Sequence, residues 1–447
     1  MTPPPETSER SRGKPSPDTS SPVRRPSSSP LTVLRHRAFT TLWSASVVSD
    51  TGTWMQAITV GVLVARLTGK ASSTGLVGVA AFATQGIGSP IGGVLADRFD
   101  RRKMFMGALF LQTTITVVLA LVLRDRAPAV GLLAALIALQ GLAGAFGMPA
   151  AQSLMPSLVP REDLLKAVGL GAVSWNSGRI FGAGLAALLG LWLTPPWIVG
   201  INAATFAFML VALSTIRGDY RAPQDANRGS FLAQLRTGRR ILWATPGCRW
   251  ALCAMVFLQL TLVPWVGLIP IFAQERLHGT RGLASMVTTI QGAGAIIGAG
   301  FAAWLVATVG RARSVVWSAV VSSLALLGYS QSTNRWVAFP FVFVLAMASV
   351  GLFVSIGAIM QRDAPEHARA RVVSIQSATL GVCYGIGVLT AGRLSDRFGL
   401  AVVHAVCAVV FGGGVVASAY FMRTAWEVVG RGDHASLRAQ RAASARP

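Results

Sequence analysis

The chain has 447 residues, of which 52% are hydrophobic and 13% charged, with a formal net charge of +23. A soluble domain usually carries about 25% charged residues, so the deficit points to lipid as the solvent and excludes two or three ordinary soluble domains. The arginines stand between apolar blocks and in the tails, not along one amphipathic face, which excludes nucleic acid as the partner behind the positive charge.

Residues 1–30 are rich in Pro, Ser and Arg, hold almost no large apolar side chain and lack the apolar run of a signal peptide. They read as a disordered cytoplasmic tail. Apolar blocks of roughly 20 residues, the span of a hydrocarbon core, then follow at Phe39–Leu67, Gly75–Ala96, Met104–Leu123, Val130–Ser153, Leu170–Leu193 and Trp197–Ile216. They make a first bundle over residues 31–216. The polar stretch 217–247 contains FLAQLRTGRRIL, which reads as an amphipathic helix on the membrane surface of a cytoplasmic linker.

A second set follows at Ala251–Phe272, Leu283–Val306, Val315–Tyr329, Val337–Met360, Val372–Ala391 and Ala401–Met422, a bundle over residues 248–423 with a cytoplasmic tail at 424–447. Lys and Arg concentrate on the side of the two termini, and such residues stay in the cytoplasm. The expectation is an all-α polytopic membrane protein of 12 transmembrane helices in two six-helix halves, multi-pass in the cell inner (plasma) membrane with both termini cytoplasmic. A monomer needs no further assumption.

MPSLVP at Met155–Pro160 has a counterpart 205 residues on, MQRDAP at Met360–Pro365, and Gly182 matches Gly387 at the same offset. Both hexapeptides follow the fourth span of their half, where a duplicated unit would put them. Parallel repeats of this kind place a substrate site between the halves near the midplane.

Between the second and third spans stands GVLADRFDRRK, Gly93–Lys103. A small residue lets helices approach closely, and a carboxylate at a helix end can hold a positive dipole end or an arginine. Here the chain resembles the major facilitator superfamily, whose corresponding loop reads G-x-x-x-D-R-x-G-R-R. Gly93, Asp97, Arg98, Arg101 and Arg102 fill their places, and Asp100 replaces the usual glycine of the turn. The resemblance implies the major facilitator fold and a cytoplasmic latch between the halves that releases as the transporter changes state. The loop of the second half keeps Gly310, Arg311 and Arg313 but has lost the acid.

The segment Met148–Ala187, through Pro149, Gln152, Pro156, Pro160, Asn176, Arg179 and Gly182, and the first-span stretch DTGTWMQA at Asp50–Ala57, are similar to the branch of enterobactin exporters and macrolide-efflux proteins, drug:proton antiporters. That resemblance runs from about Leu31 to Met422. The fifth span departs from many antiporters in reading Gly182-Ala183 and Ala186-Ala187, without the proline bend.

Charges at membrane depth cost about 2.5 to 3.5 kcal/mol on insertion scales and usually face a cavity or a partner. Asp50, near the middle of the first span, is the candidate for proton coupling, the alternatives being a fixed ion pair or a hydrated acid. Arg179, with Asn176, is a substrate or charge-pair candidate: a partner for helix carbonyls, an attraction point for an anionic substrate, or the counter-charge to Asp50. Trp54, Gln56, Gln85, Gln259, Trp265 and Gln291 are candidates to line the cavity, with interhelical hydrogen bonding the alternative for each amide.

No GxxxxGK[ST] loop offers ATP as the energy source. Cys248 and Cys253 are five apart, Cys383 and Cys407 stand alone, and the histidines are scattered, so no metal site, no cofactor and no enzyme is expected. The expected function is proton-coupled efflux of a small amphipathic molecule by alternating access. An uncoupled facilitator or importer of another solute or lipid is the alternative, and a non-transporting membrane sensor the more distant one.

Overall fold

The computed structural model describes residues 30–125, 127–218, 220, 231–279, 282–365 and 369–421. Those residues form helices and turns, with no strand among them. A 3-10 turn, Pro30–Arg35, leads into α1 (Arg37–Thr68), α2 (Ala71–Arg98), α3 (Arg101–Val122), α4 (Val130–Ser157), α5 (Leu164–Leu189) and α6 (Pro195–Thr215). After α7 (Phe231–Ala244) come α8 (Pro246–Phe257), α9 (Ile269–Glu275), α10 (Leu283–Val309), α11 (Arg311–Gln331), α12 (Arg335–Asp363), α13 (Arg369–Phe398) and α14 (Leu400–Phe421).

Local chemistry sets several of the boundaries. Gly69 ends α1 in the left-handed conformation, its N–H reaching the Ala65 carbonyl. Pro195 opens α6 at a position where its missing N–H costs nothing. The Asn334 side chain caps α12 by accepting from Trp336 N–H. Nine of the described helical stretches are long and apolar enough to cross a membrane. Large apolar side chains such as Phe110, Leu121, Trp192, Trp197 and Trp336 stand exposed on the outside of the bundle, where lipid is their solvent.

Several spans differ from expectation, α13 reaching Phe398 where Ala391 was expected. The seventh, expected as one helix over Ala251–Phe272, is broken: α8 stops at Phe257, a π turn covers Leu258–Leu262, a 3-10 turn covers Val263–Val266, and α9 resumes at Ile269. Pro264 cannot donate to the helix ladder, and its ring crowds the carbonyl four residues back, so the backbone shifts its pairing there. The short block at Val315–Tyr329 is longer on both sides, and α5 begins and ends earlier than Leu170–Leu193. The amphipathic helix of the linker is present as α7, with Arg236, Arg239 and Arg240 exposed and Leu242 buried. The expected tails and residues 221–230 of the linker lie outside the described residues, apart from Pro30.

The offset of 205 residues seen in the hexapeptides recurs in the helix starts: Val130 and Arg335, Leu164 and Arg369, Pro195 and Leu400 open corresponding helices. The largest apolar cluster lies mainly in the second half, from Leu242 to Phe411, and takes in Ala65 and Ala71 where the first half meets it. In the first half, an apolar cluster around Val60, Leu119, Leu133 and Val199 is separated from another around Leu42, Phe105, Leu154 and Leu213 by buried amides.

The halves meet mainly through α2 against α13 and α5 against α10, with α1 against α9. Antiparallel α2 and α13 approach backbone to backbone: a β-carbon on Gly86 would lie 2.9 Å from the Gly381 α-carbon, and one on Gly75 2.9 Å from the Val388 carbonyl oxygen. The close approaches cluster toward the ends where α1 finishes and α2 begins. Toward the other ends the same helices expose Ile87, Ile91, Val168 and Val173, and the position of a Gly93 β-carbon has no neighbour within 4 Å. The two halves are thus closed at one end and parted at the other.

Candidate functional site

Helix α5 carries Ser174, Gly178 and Gly182 at four-residue spacing, one small-residue face along which α1 can lie in contact. A β-carbon on Gly178 would stand 2.6 Å from the Asp50 β-carbon, and one on Gly182 2.4 Å from the Thr51 carbonyl oxygen. This contact fixes Asp50 against α5, where Ser174 Oγ donates to its carboxylate at 2.6 Å. No ion pair joins Asp50 to Arg179 among the described residues, so of the readings open for these two groups the mutual counter-charge is not the one adopted in this conformation.

Arg179 lies one turn further on, its guanidinium carbon 4.5 Å from the centroid of the Trp54 ring. Trp175 meets Trp54 edge-on at 5.4 Å. Trp54 Nε1 and Arg179 Nε are both buried and have no hydrogen-bond partner among the described residues. Tyr384 of α13 is close enough to interact electrostatically with Arg179, and its ring packs edge-on against Phe82 of α2 at 5.0 Å. Gly292 of α10 touches Ile180, so the second half closes over this place from two helices. The result is a carboxylate, a guanidinium and two indoles where α1 and α5 face the other half, with two N–H donors free to take an acceptor.

Asn176 is half-buried on the same helix. Ser174, Trp175 and Tyr384 were missed in the sequence. The S-x-x-x-G-x-x-x-G face of α5 was a signal for the first, and its neighbour Trp175 follows from it. Nothing local marks Tyr384.

The cavity candidates divide. Gln56 is buried and both ends of its amide are used: it donates to Gln140 Oε1 at 2.7 Å and accepts from Asn202 Nδ2 at 2.7 Å, while Gln140 donates to Thr116 at 3.0 Å. This chain ties α1, α3, α4 and α6 together, so Gln56 belongs to the interior of the first half and not to a cavity wall. Trp265 is likewise buried, edge-on to Tyr329 at 5.5 Å within the second half. Gln259 donates to the Leu380 carbonyl at 3.2 Å, bracing the broken seventh span against α13. Gln85 points at Met148 Sδ, 3.4 Å away. Gln291 is buried, its Oε1 unpartnered among the described residues.

The loop Gly93–Lys103 sits at the parted end. Gly93 makes no close helix approach here, since no described atom lies within 4 Å of where its β-carbon would stand; the tight contact belongs to Gly92, where a β-carbon would meet the Ala145 carbonyl oxygen at 2.2 Å. The Asp97 side chain is outside the described residues, and Arg98 is exposed. Arg101 has a buried Nε without a partner among the described residues, and Arg102 donates to the Leu213 and Ser214 carbonyls at 3.1 and 2.8 Å, holding the end of α6 in its own half. Asp100 needs no glycine-like backbone: at φ −61° and ψ 116° it is the N-cap of α3 and accepts from Lys103 N–H at 3.1 Å. Among the described residues no group of His, Cys, Asp and Glu could hold a metal ion.

The family model described as transmembrane secretion effector matches residues 28–439. Macrolide efflux protein A of Streptococcus pyogenes is 24% identical over 81% of this chain and 90% of its own length. The enterobactin exporter EntS of Shigella boydii is 30% identical over 47% of this chain and 50% of its own. Among solved structures, a variant of the nucleoside transporter NupG superposes with a TM-score of 0.73 at 14% identity, covering 85% of this chain and 99% of that one, a likeness of fold. With a match over nearly its whole length, an all-helical bundle of apolar spans and two halves meeting around a charged centre, this chain belongs to the transmembrane secretion effector family of major facilitator transporters.

Proposed function

We propose that the chain exports a small amphipathic molecule in exchange for protons, with Asp50 as the proton site and the Trp54–Arg179 pair as the surface that meets the substrate. The observation that carries this reading is the placement of Asp50, bonded among the described residues to Ser174, one helical turn from a guanidinium Nε and an indole Nε1 that find no acceptor among those residues. A substrate offering an aromatic or apolar body and an acceptor or anionic group would satisfy both donors and displace nothing already bonded. The relatives' names, a macrolide efflux protein and an enterobactin exporter, support the outward direction and the substrate class.

In this reading residues 31–216 and 248–423 are the two six-helix halves, and both termini lie in the cytoplasm. The arginine-rich loop after α2 is then cytoplasmic, and the parted end opens inward. Substrate and proton compete for one centre on the axis between the halves, and each is carried across when the closed end changes. The proton gradient supplies the energy, with no bound cofactor.

The test is efflux of a panel of fluorescent drugs and an iron-chelating siderophore from cells expressing the wild type or Asp50→Asn, with and without a protonophore. Export by the wild type that is lost with the protonophore and in Asp50→Asn, at equal protein level, is the expected result. Export that survives both treatments would place the energy source elsewhere and reduce Asp50 to a packing role; uptake instead of export would reverse the direction.

A further inference from the structure

The pattern G-x-L-x-D-R-F occurs twice in the chain, as GVLADRF at Gly93–Phe99 and as GRLSDRF at Gly392–Phe398. The second copy is not in the loop that duplication would assign to it, the one at Gly310. It closes α13, at the opposite end of the bundle from the first copy.

The antiparallel packing of α2 and α13 brings that second aspartate to the start of α2. Ala71 N–H donates to Asp396 Oδ1 at 2.7 Å, and Ser72 N–H donates to Oδ2 at 3.2 Å. Helix α2 has no side-chain cap of its own, because its N-cap residue is Lys70. Its first N–H groups and the positive end of its dipole are therefore satisfied by a carboxylate from the other half. The contact is tight: a β-carbon on Gly392 would lie 2.7 Å from the Ala71 carbonyl oxygen.

The charged neighbours do not take this carboxylate away. Among the described residues Asp396 forms no ion pair, although Lys70, Arg393 and Arg397 are nearby in sequence on the two helices, and Glu275 at the end of α9 feels its charge. Asp396 is exposed, so water can replace both hydrogen bonds when the helices part. A cap of this kind holds the end closed without making it permanent.

We propose that Asp396 is a gate residue of transport: its carboxylate caps α2 across the interface to hold this end shut, and the end opens by giving the cap up. In the orientation proposed above this is the outer gate, but the inference rests on the cross-half hydrogen bonds and not on proton coupling. Cap strength sets the ratio of closed to open outer ends, and so the rate at which the empty carrier returns.

The experiment is double electron–electron resonance on the full chain in lipid nanodiscs, its four native cysteines replaced, with spin labels at Gly131→Cys on α4 and Trp336→Cys on α12, both at the capped end. Asp396→Asn is expected to raise the population of long distances relative to short ones roughly tenfold, and Asp396→Glu to leave most of the closed population in place. Ala71→Pro, which removes the shorter hydrogen bond at a helix position where proline is well accepted, is expected to move the distribution in the same direction by less. Unchanged distances in both Asp396→Asn and Ala71→Pro would overturn the proposal, even if transport were lost. If Asp396→Asn does not fold, the Ala71→Pro distances alone decide it.

Discussion

Asp163, at the start of α5, shows how a single carboxylate attaches the segment before the first helix. It is buried among His36 at 3.1 Å, Lys166 at 3.1 Å and Arg35 at 3.4 Å. Hydrogen bonds from His36, then from Lys166, with the charges of Lys166 and Arg35, hold its carboxyl below the usual range against the opposing effect of burial. A depressed folded-state value means the stabilisation is complete above the unfolded carboxylate range, near pH 4, and is lost as pH falls through the folded value. Asp163→Asn is therefore expected to lower the melting temperature at pH 7, with the difference from wild type shrinking on acidification below about pH 4. Thermal unfolding of both proteins in detergent across that range measures it, and a difference that does not shrink would mean the charge is not what matters. The same scale explains why Asp100 stands where the superfamily has glycine: the turn needs an N-cap for α3 and no left-handed backbone.

At the scale of elements, glycines along α5 and α2 decide which helix faces touch, and their neighbours predict opposite outcomes of similar substitutions. Gly182→Leu would drive a side chain into the α1 backbone at Thr51 and the Trp54 β-carbon. It is expected to cost several-fold in folded yield, as overpacking of a tight interface does. Gly93→Ala meets open space and is expected to leave folding unchanged, even though Gly93 belongs to the loop motif. Size-exclusion profiles of the two variants at matched expression compare them, and equal yields would show that α1 and α5 are not so closely packed. The broken seventh span is also an element-scale effect, since Pro264 interrupts the ladder that an apolar pattern alone would continue.

For the whole molecule, the closed and parted ends predict a pattern of reactivity. Single cysteines at Gly93 and Val168, in open space and exposed respectively, are expected to react with a soluble maleimide in inside-out vesicles, while one at Ala83, facing Gly385, is expected to be protected. Reaction at Ala83 matching that at Gly93 would mean the halves do not hold this closed state in a membrane. Much of the architecture was legible in the residues: the apolar blocks, the amphipathic α7, the offset shared by MPSLVP and MQRDAP and the loop motif depend on local periodicity and length, which a chain carries within each segment. The polar centre was legible only in part, because an ionisable group at membrane depth announces itself, as Asp50 and Arg179 do, whereas its partners come from elsewhere in the chain. Gln56 and Trp265 were sorted from cavity to interior, Tyr384 was brought to Arg179, and Asp396 was set on the first turn of α2 by packing between helices hundreds of residues apart. Periodicity within a segment can specify a helix and its apolar face; only tertiary contact decides which face meets which, and with it which polar group finds a partner and which is left for a ligand.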